Sequence, residues 1–132
     1  MSSGTLSDSR LSTNVLLGTP GTYTPTLTNV TNLGASTAYT AQYVKVGSMV
    51  IVSGKVDVDP TAPGATELGL SLPVASNFSA AEQCGGVAFA SGIAGQGAAI
   101  LADAANDRAS MRWVAADITN QPMAFAFMYL VI

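Results

Sequence analysis

PMAFAFMYLVI, residues 122–132, ends the chain and decides how the rest is read. Met123, Phe125, Phe127, Tyr129 and Val131 alternate with Ala124, Ala126, Met128, Leu130 and Ile132. The β-rich composition and period of two predict a strand, and both of its faces are apolar. One face is expected to meet the chain's own core. The other is expected to meet a second sheet or another subunit. The stretch carries no polar tail, so a docked C-terminus is expected.

The remaining elements follow by working back from that strand. TAYTAQYVKV (37–46) and MVIVSGKVDV (49–58) flank Gly47-Ser48, a Gly-first two-residue turn that predicts a hairpin. In its second strand Val50, Val52, Val56 and Val58 share one face, while Ser53, Lys55 and Asp57 share the other. One face is thus core and the other at least partly wet. Gly54 within that strand predicts a bulge or a close neighbour.

YTPTLTNV (23–30) reads as a first strand and TELGLSLP (66–73) as another, with VASNFSAAEQ (74–83) irregular or a short helical turn. GGVAFASGIA (85–94) is expected to pair with GAAILAD (97–103), and AANDRA (104–109) to turn into SMRWVAAD (110–117). The expected fold is all-β: an antiparallel β-sandwich or jelly roll of about eight strands, residues 21–132, behind an extended N-terminal arm, residues 1–20.

Composition narrows the partners. The chain has 132 residues, enough for one domain, with 48% hydrophobic but only 10% charged residues. About 25% charged is ordinary for a soluble domain. So sparse a charge implies that part of the outer face is hidden against copies of the chain. Five scattered basic residues and a net charge of −3 give no basic stripe for nucleic acid. Residues 83–102 carry no charge, but their five glycines and two glutamines suit turn-separated strands better than a membrane span, so no membrane insertion is expected.

Chemistry is hard to find. The absence of histidine removes the commonest general base and metal ligand. Cys84, the single cysteine, reads as a small buried hydrophobe. Asp57 and Asp59 share one strand face rather than facing each other across a cleft, as glycosidic acid–base work requires. Asp103, Asp107 and Arg108 read as turn chemistry with a local ion pair, and Trp113 as core beside a wet Arg112. Tyr39 and Tyr43 are expected on one face as cross-strand packing, sugar stacking being the less common use. No catalytic residue, metal site or cofactor is expected, and the chain is read as no enzyme.

With the strands placed, a likeness emerges. GTYTPTLTNVTN (21–32), AYTAQYVKVGSMVIVSGKVDVDP (38–60), LGLSLPVASNF (68–78) and MAFAFMYLVI (123–132) resemble a domain at the C-terminal ends of bacteriophage and prophage tail-fibre proteins. GTLSDSRLSTNV (4–15) resembles a segment that recurs there just before a folded tip. The resemblance implies a trimeric β domain on the outside of a virion, with other phage fibre, baseplate or coat proteins and a host-surface glycan or protein as partners. A capsid decoration (cement) protein, clamping coat subunits through its arm, is the alternative.

The expected subunit contacts are Leu11, Val15 and Leu16 of the arm with Met123, Phe125, Phe127 and Tyr129. The expected host-facing loop residues are Asp59, Asn77, Asn106 and Arg108.

Overall fold

The computed structural model describes residues 18–132; Leu11, Val15, Leu16 and most of the expected arm lie outside them. Ten strands run through the described residues: β1 (Gly18–Tyr23), β2 (Leu27–Thr31), β3 (Leu33–Ala38), β4 (Ala41–Val46), β5 (Met49–Pro60), β6 (Gly64–Leu70), β7 (Cys84–Ala90), β8 (Gly97–Asp103), β9 (Arg108–Ala115) and β10 (Gln121–Leu130). Among them the only helical element is a 3-10 turn, Ala81–Gln83. Every pairing is antiparallel, in the order β1-β4-β5-β10-β7-β8-β9-β6-β2, with β3 also on β5.

The all-β, antiparallel expectation holds. Ten strands stand where about eight were expected, and they form one continuous sheet that curls into a half-barrel. Two predicted strands are also broken. Residues 23–30 divide at Thr24–Thr26, where Pro25 is buried, into the end of β1 and most of β2. Residues 37–46 divide at Tyr39–Thr40, so β3 and β4 lie end to end along the same edge of β5.

The hairpin turn is as expected, with Gly47 at φ 60°, a conformation glycine adopts without steric cost. A second special position joins β2 to β3. Asn32 has φ 59°, and its amide holds the β5–β6 loop. Its Nδ2 donates to Ala62 O at 2.7 Å and Thr66 Oγ1 at 2.9 Å. Its Oδ1 accepts from Thr61 Oγ1 at 2.7 Å and Ala62 N at 3.0 Å. Asparagine tolerates this left-handed conformation, and here all of its donors and acceptors are used at a corner.

The inner face of the curl is the core. Val50, Val52, Val56 and Val58 line it from β5, Leu68 and Leu70 from β6, Met111 and Trp113 from β9. From β10 come Met123, Phe125, Phe127 and Tyr129, each no more than 4% exposed. Two glycines make room for these rings. Gly54 faces Phe125, and a Cβ there would lie 2.9 Å from that ring and 2.7 Å from Ala41 Cβ. Gly86 faces Phe127, and a Cβ there would lie 2.6 Å from Phe127 Cα. The close neighbour expected at Gly54 is thus an aromatic ring and a packed strand.

The strand ends fall into two sets. At the entry end lie Gly18, the Gly47-Ser48 turn, residues 71–83, the 104–107 turn and Ile132, as the pairs Gly18↔Val46, Met49↔Leu130, Tyr129↔Cys84 and Leu70↔Ala109 require. At the far end lie Asn32 and the loops 61–63, 91–96 and 116–120, bounded by Leu33↔Pro60, Phe89↔Gly97 and Gly64↔Ala115. The C-terminus is docked at the entry end. Val131 N donates to Ser48 O at 2.8 Å, and Ile132 N donates to Ser76 Oγ at 3.0 Å.

Candidate functional site

The alternation that fills the core leaves a second apolar set on the outer face. Met49 and Ile51 of β5, Met128 and Leu130 of β10 and Val87 of β7 are all exposed, with Ile132 beside them. Register makes them neighbours: Met49↔Leu130, Ile51↔Met128, Met128↔Gly85 and Val87↔Ala126. A recess of about 510 Å³ runs along Met49, Gly85, Met128, Leu130 and Ile132. Scattered exposed aliphatics are ordinary, whereas these lie side by side on three neighbouring strands.

The structure corrects the expected contact residues of β10. Met123, Phe125, Phe127 and Tyr129 point into the protomer's own core, so their side chains cannot meet a partner. The outward set of the same strand, Met128 and Leu130 above all, is the one presented. Both sets are apolar, so the sequence pattern could not say which turned inward. The register decides it: Met123, Phe127 and Tyr129 lie opposite Val56, Val52 and Val50 of the core face of β5, and directly paired residues share a face.

Two ion pairs lie on the outer face of β6, β8 and β9. Arg108 Nε donates to Asp103 Oδ2 at 2.9 Å, and Arg112 Nε lies 3.1 Å from Glu67 Oε1. Between the two arginines, Ser110 is fully buried and accepts from Arg112 Nε at 3.2 Å. Burial alone would raise the Asp103 carboxyl, but hydrogen bonds from Asn106 and Arg108 outweigh it and hold the group below its ordinary range. The expected local ion pair is therefore present, with Arg108 laid over Gly69.

Of the expected host-facing residues, Asn77, Asn106 and Arg108 are at the entry end and Asp59 at the far end. Asn77 and Asn106 are exposed; Arg108 and Asp59 are half-buried. Asp107 ties the first group together, its Oδ1 accepting from Phe78 N at 2.8 Å with its own backbone at φ 50°.

Tyr39 and Tyr43 do not share a face, because the break between β3 and β4 separates them. Tyr43 turns inward and meets Tyr23 edge-on at 6.0 Å. Tyr39 lies outside, donating from its OH to Asp57 Oδ2 at 2.8 Å, with Lys55 Nζ 4.2 Å from its ring centre. That hydrogen bond and the carboxylate's charge raise the phenol above its usual range.

Two acidic groups of the core are held protonated by burial. Burial pushes the Cys84 thiol up to about 12, so it stays protonated at neutral pH. Burial likewise raises Tyr129 to about 12, and its OH both donates to Val74 O at 2.7 Å and accepts from Val74 N at 3.1 Å. This residue fastens the segment after β6 to β10. Compared with models of protein families and with curated proteins, the chain matches none.

Proposed function

We propose that this chain is a non-enzymatic structural protein of a phage virion, working as a homotrimer at a tail-fibre tip or fibre-associated domain that takes part in host-surface attachment. The observation that carries the reading is the outer strip of Met49, Ile51, Val87, Met128 and Leu130. A chain with 10% charged residues that also presents such a strip is suited to burying it against copies of itself. The tail-fibre resemblance of residues 21–132 supports the same conclusion, as does the arm-like segment before β1.

The sandwich or jelly-roll form of the fold belongs to this reading. It rests on one core shared by Val52 and Phe127 from one half of the strand order and by Leu68 and Met111 from the other. The arm, with Leu11, Val15 and Leu16, then serves attachment and trimerisation, and other phage structural proteins are its partners.

A capsid decoration (cement) protein that stabilises the phage head through its N-terminal arm is the second reading. Gold-labelled antibody against the chain, applied to particles from the host that carries it, separates the two. Label at the tail tip supports the fibre and label over the head supports decoration. Particles without label overturn both.

A further inference from the structure

We propose that the outer strip is a two-sided contact: the Val87–Phe89 ridge of one copy seats in a groove over β1, β4 and β5 of the next, the strands of all copies running in the same sense. The inference rests on the assembly reading above and names the surfaces that meet. A ring of identical subunits closes only through a heterologous contact, so one flank of the strip must fit the other.

The ridge is on β7, where Val87 is 64% and Phe89 57% exposed. The outer-face neighbours of Val87 are Ala126 and Ala99, and those of Phe89 are Ala124 and Gly97. All four are too small to cover them. The groove is on the opposite flank. It holds about 580 Å³ between Pro20, Val44 and Ile51 on one side and Thr22, Gln42 and Ser53 on the other.

Register sets ridge and groove at matching heights. Residues paired from strand to strand form rows across the sheet, and rotation about an axis along the strands keeps each residue level with its own row. One row runs Pro20–Val44–Ile51–Met128–Gly85, and the next Thr22–Gln42–Ser53–Ala126–Val87. Val87 of one copy is therefore level with the Gln42 wall of its neighbour's groove. Met128 and Leu130, between the two flanks, then face the axis.

Charge is matched at the same heights. A third row runs Lys55–Ala124–Phe89, so Lys55 of one copy meets the Phe89 ring of the next. Lys55 Nζ already lies 4.2 Å from the centre of the Tyr39 ring and makes no ion pair among the described residues. A second ring on the open side of the ammonium clamps the cation between two aromatic faces. At the entry end Glu82 is exposed just ahead of β7, also without an ion pair among the described residues. The pairing of Cys84 with Tyr129, and of Val131 N with Ser48 O, makes Glu82 level with the Gly47-Ser48 turn. Lys45 Nζ sits at that turn, donating to Gly47 O at 2.6 Å. Cations of the groove flank thus meet an aromatic face and a carboxylate of the ridge flank. A two-fold stack in the opposite sense inverts the rows and separates both pairs.

The test places cysteines on both flanks of the full chain, Gln42→Cys and Val87→Cys, at exposed positions. Cys84 is buried and does not compete. A short bismaleimide cannot span the three strand spacings, about 14 Å, between the two positions within one copy. The double variant should link into covalent trimers on a denaturing gel, and each single variant should stay unlinked. Phe89→Ala and Lys55→Gln should each raise at least fivefold the concentration at which light scattering shows half-assembly. Combined, they should raise it by less than the product of the two effects. Dimers linked through Val87→Cys alone, a double variant that links no further than the single ones, or effects that simply multiply would overturn the proposal. If the wild type is trimeric in those cases, the assembly reading stands without it. A wild type that is monomeric at every concentration overturns both.

Discussion

Gly85 and Gly86 are neighbours in β7, yet alanine at the two positions is expected to have opposite consequences. A Cβ on Gly86 would collide with the carbonyl oxygen of Ala126 and lie 2.6 Å from both Cα and Cβ of Phe127. These are atoms of the neighbouring backbone, so no rotamer change relieves the overlap. Either the ladder between β7 and β10, paired from Met123↔Ala90 to Tyr129↔Cys84, opens locally, or Phe127 leaves its stack between Phe125 and Tyr129. Overpacking a well-filled site costs about 1–3 kcal/mol, and a collision with backbone belongs at the upper end, about 3 kcal/mol. For a domain of this size that is a fall of roughly 12 °C in Tm.

Gly85 points outward with nothing within 4 Å of its Cβ position. Gly85→Ala should therefore stay within about 1 kcal/mol of the wild type, with a small gain from restricting the unfolded chain. The assay is urea unfolding of the three proteins at one fixed concentration, since assembly makes midpoints concentration-dependent. Equal losses in the two variants, or a neutral Gly86→Ala, would refute the inward assignment of the odd-numbered residues of β10.

Other expectations follow from the same geometry. Phe127→Asp puts an unpaired charge among stacked rings and should abolish soluble, folded protein; a folded variant by circular dichroism contradicts the burial. Asn32→Ala removes the side chain that holds the β5–β6 loop and strains a left-handed residue, costing about 2–3 kcal/mol in urea unfolding, whereas Asn32→Gly should recover part of that by relieving the backbone. Cys84 and Tyr129 both have folded pKa values raised to about 12, above their ordinary 9.0 and 10.0. Stability should therefore be level up to about pH 9 and fall from there towards pH 12, as the unfolded thiol and phenol ionise while the folded ones resist. Urea midpoints that rise across that interval would contradict the burial of both groups.

How much of this was legible beforehand depends on whether the signal was local. Val50 through Val58 alternate against polar neighbours, so the core face of β5 could be read directly, as could the Gly47-Ser48 turn. β10 could be recognised as a strand with two apolar faces, but not oriented. Its inward face is set by pairing with Val50, Val52 and Val56 of β5, and that information exists only once the register is known.

The break at Tyr39–Thr40 was hidden for a similar reason. TAYTAQYVKV holds no proline or glycine to mark a break, and only the length of β5, which accommodates β3 and β4 along one edge, shows that the stretch serves as two strands. Nothing in its immediate sequence marks Asn32 as a corner. Its use as a corner depends on Thr61, Ala62 and Thr66, about thirty residues away. The apolar character of the outer face was legible from the low charge of the whole chain, and its place on β5, β7 and β10 was not.

The mass of the full chain in solution, beside that of the double variant Met128→Asp, Leu130→Asp, addresses the outer strip itself. Both positions are about half exposed, so the charges leave the protomer's core intact. Light scattering over a range of concentrations should give a trimer for the wild type and a folded monomer for the variant. A wild-type monomer, or a variant that remains trimeric, would contradict assembly through this face.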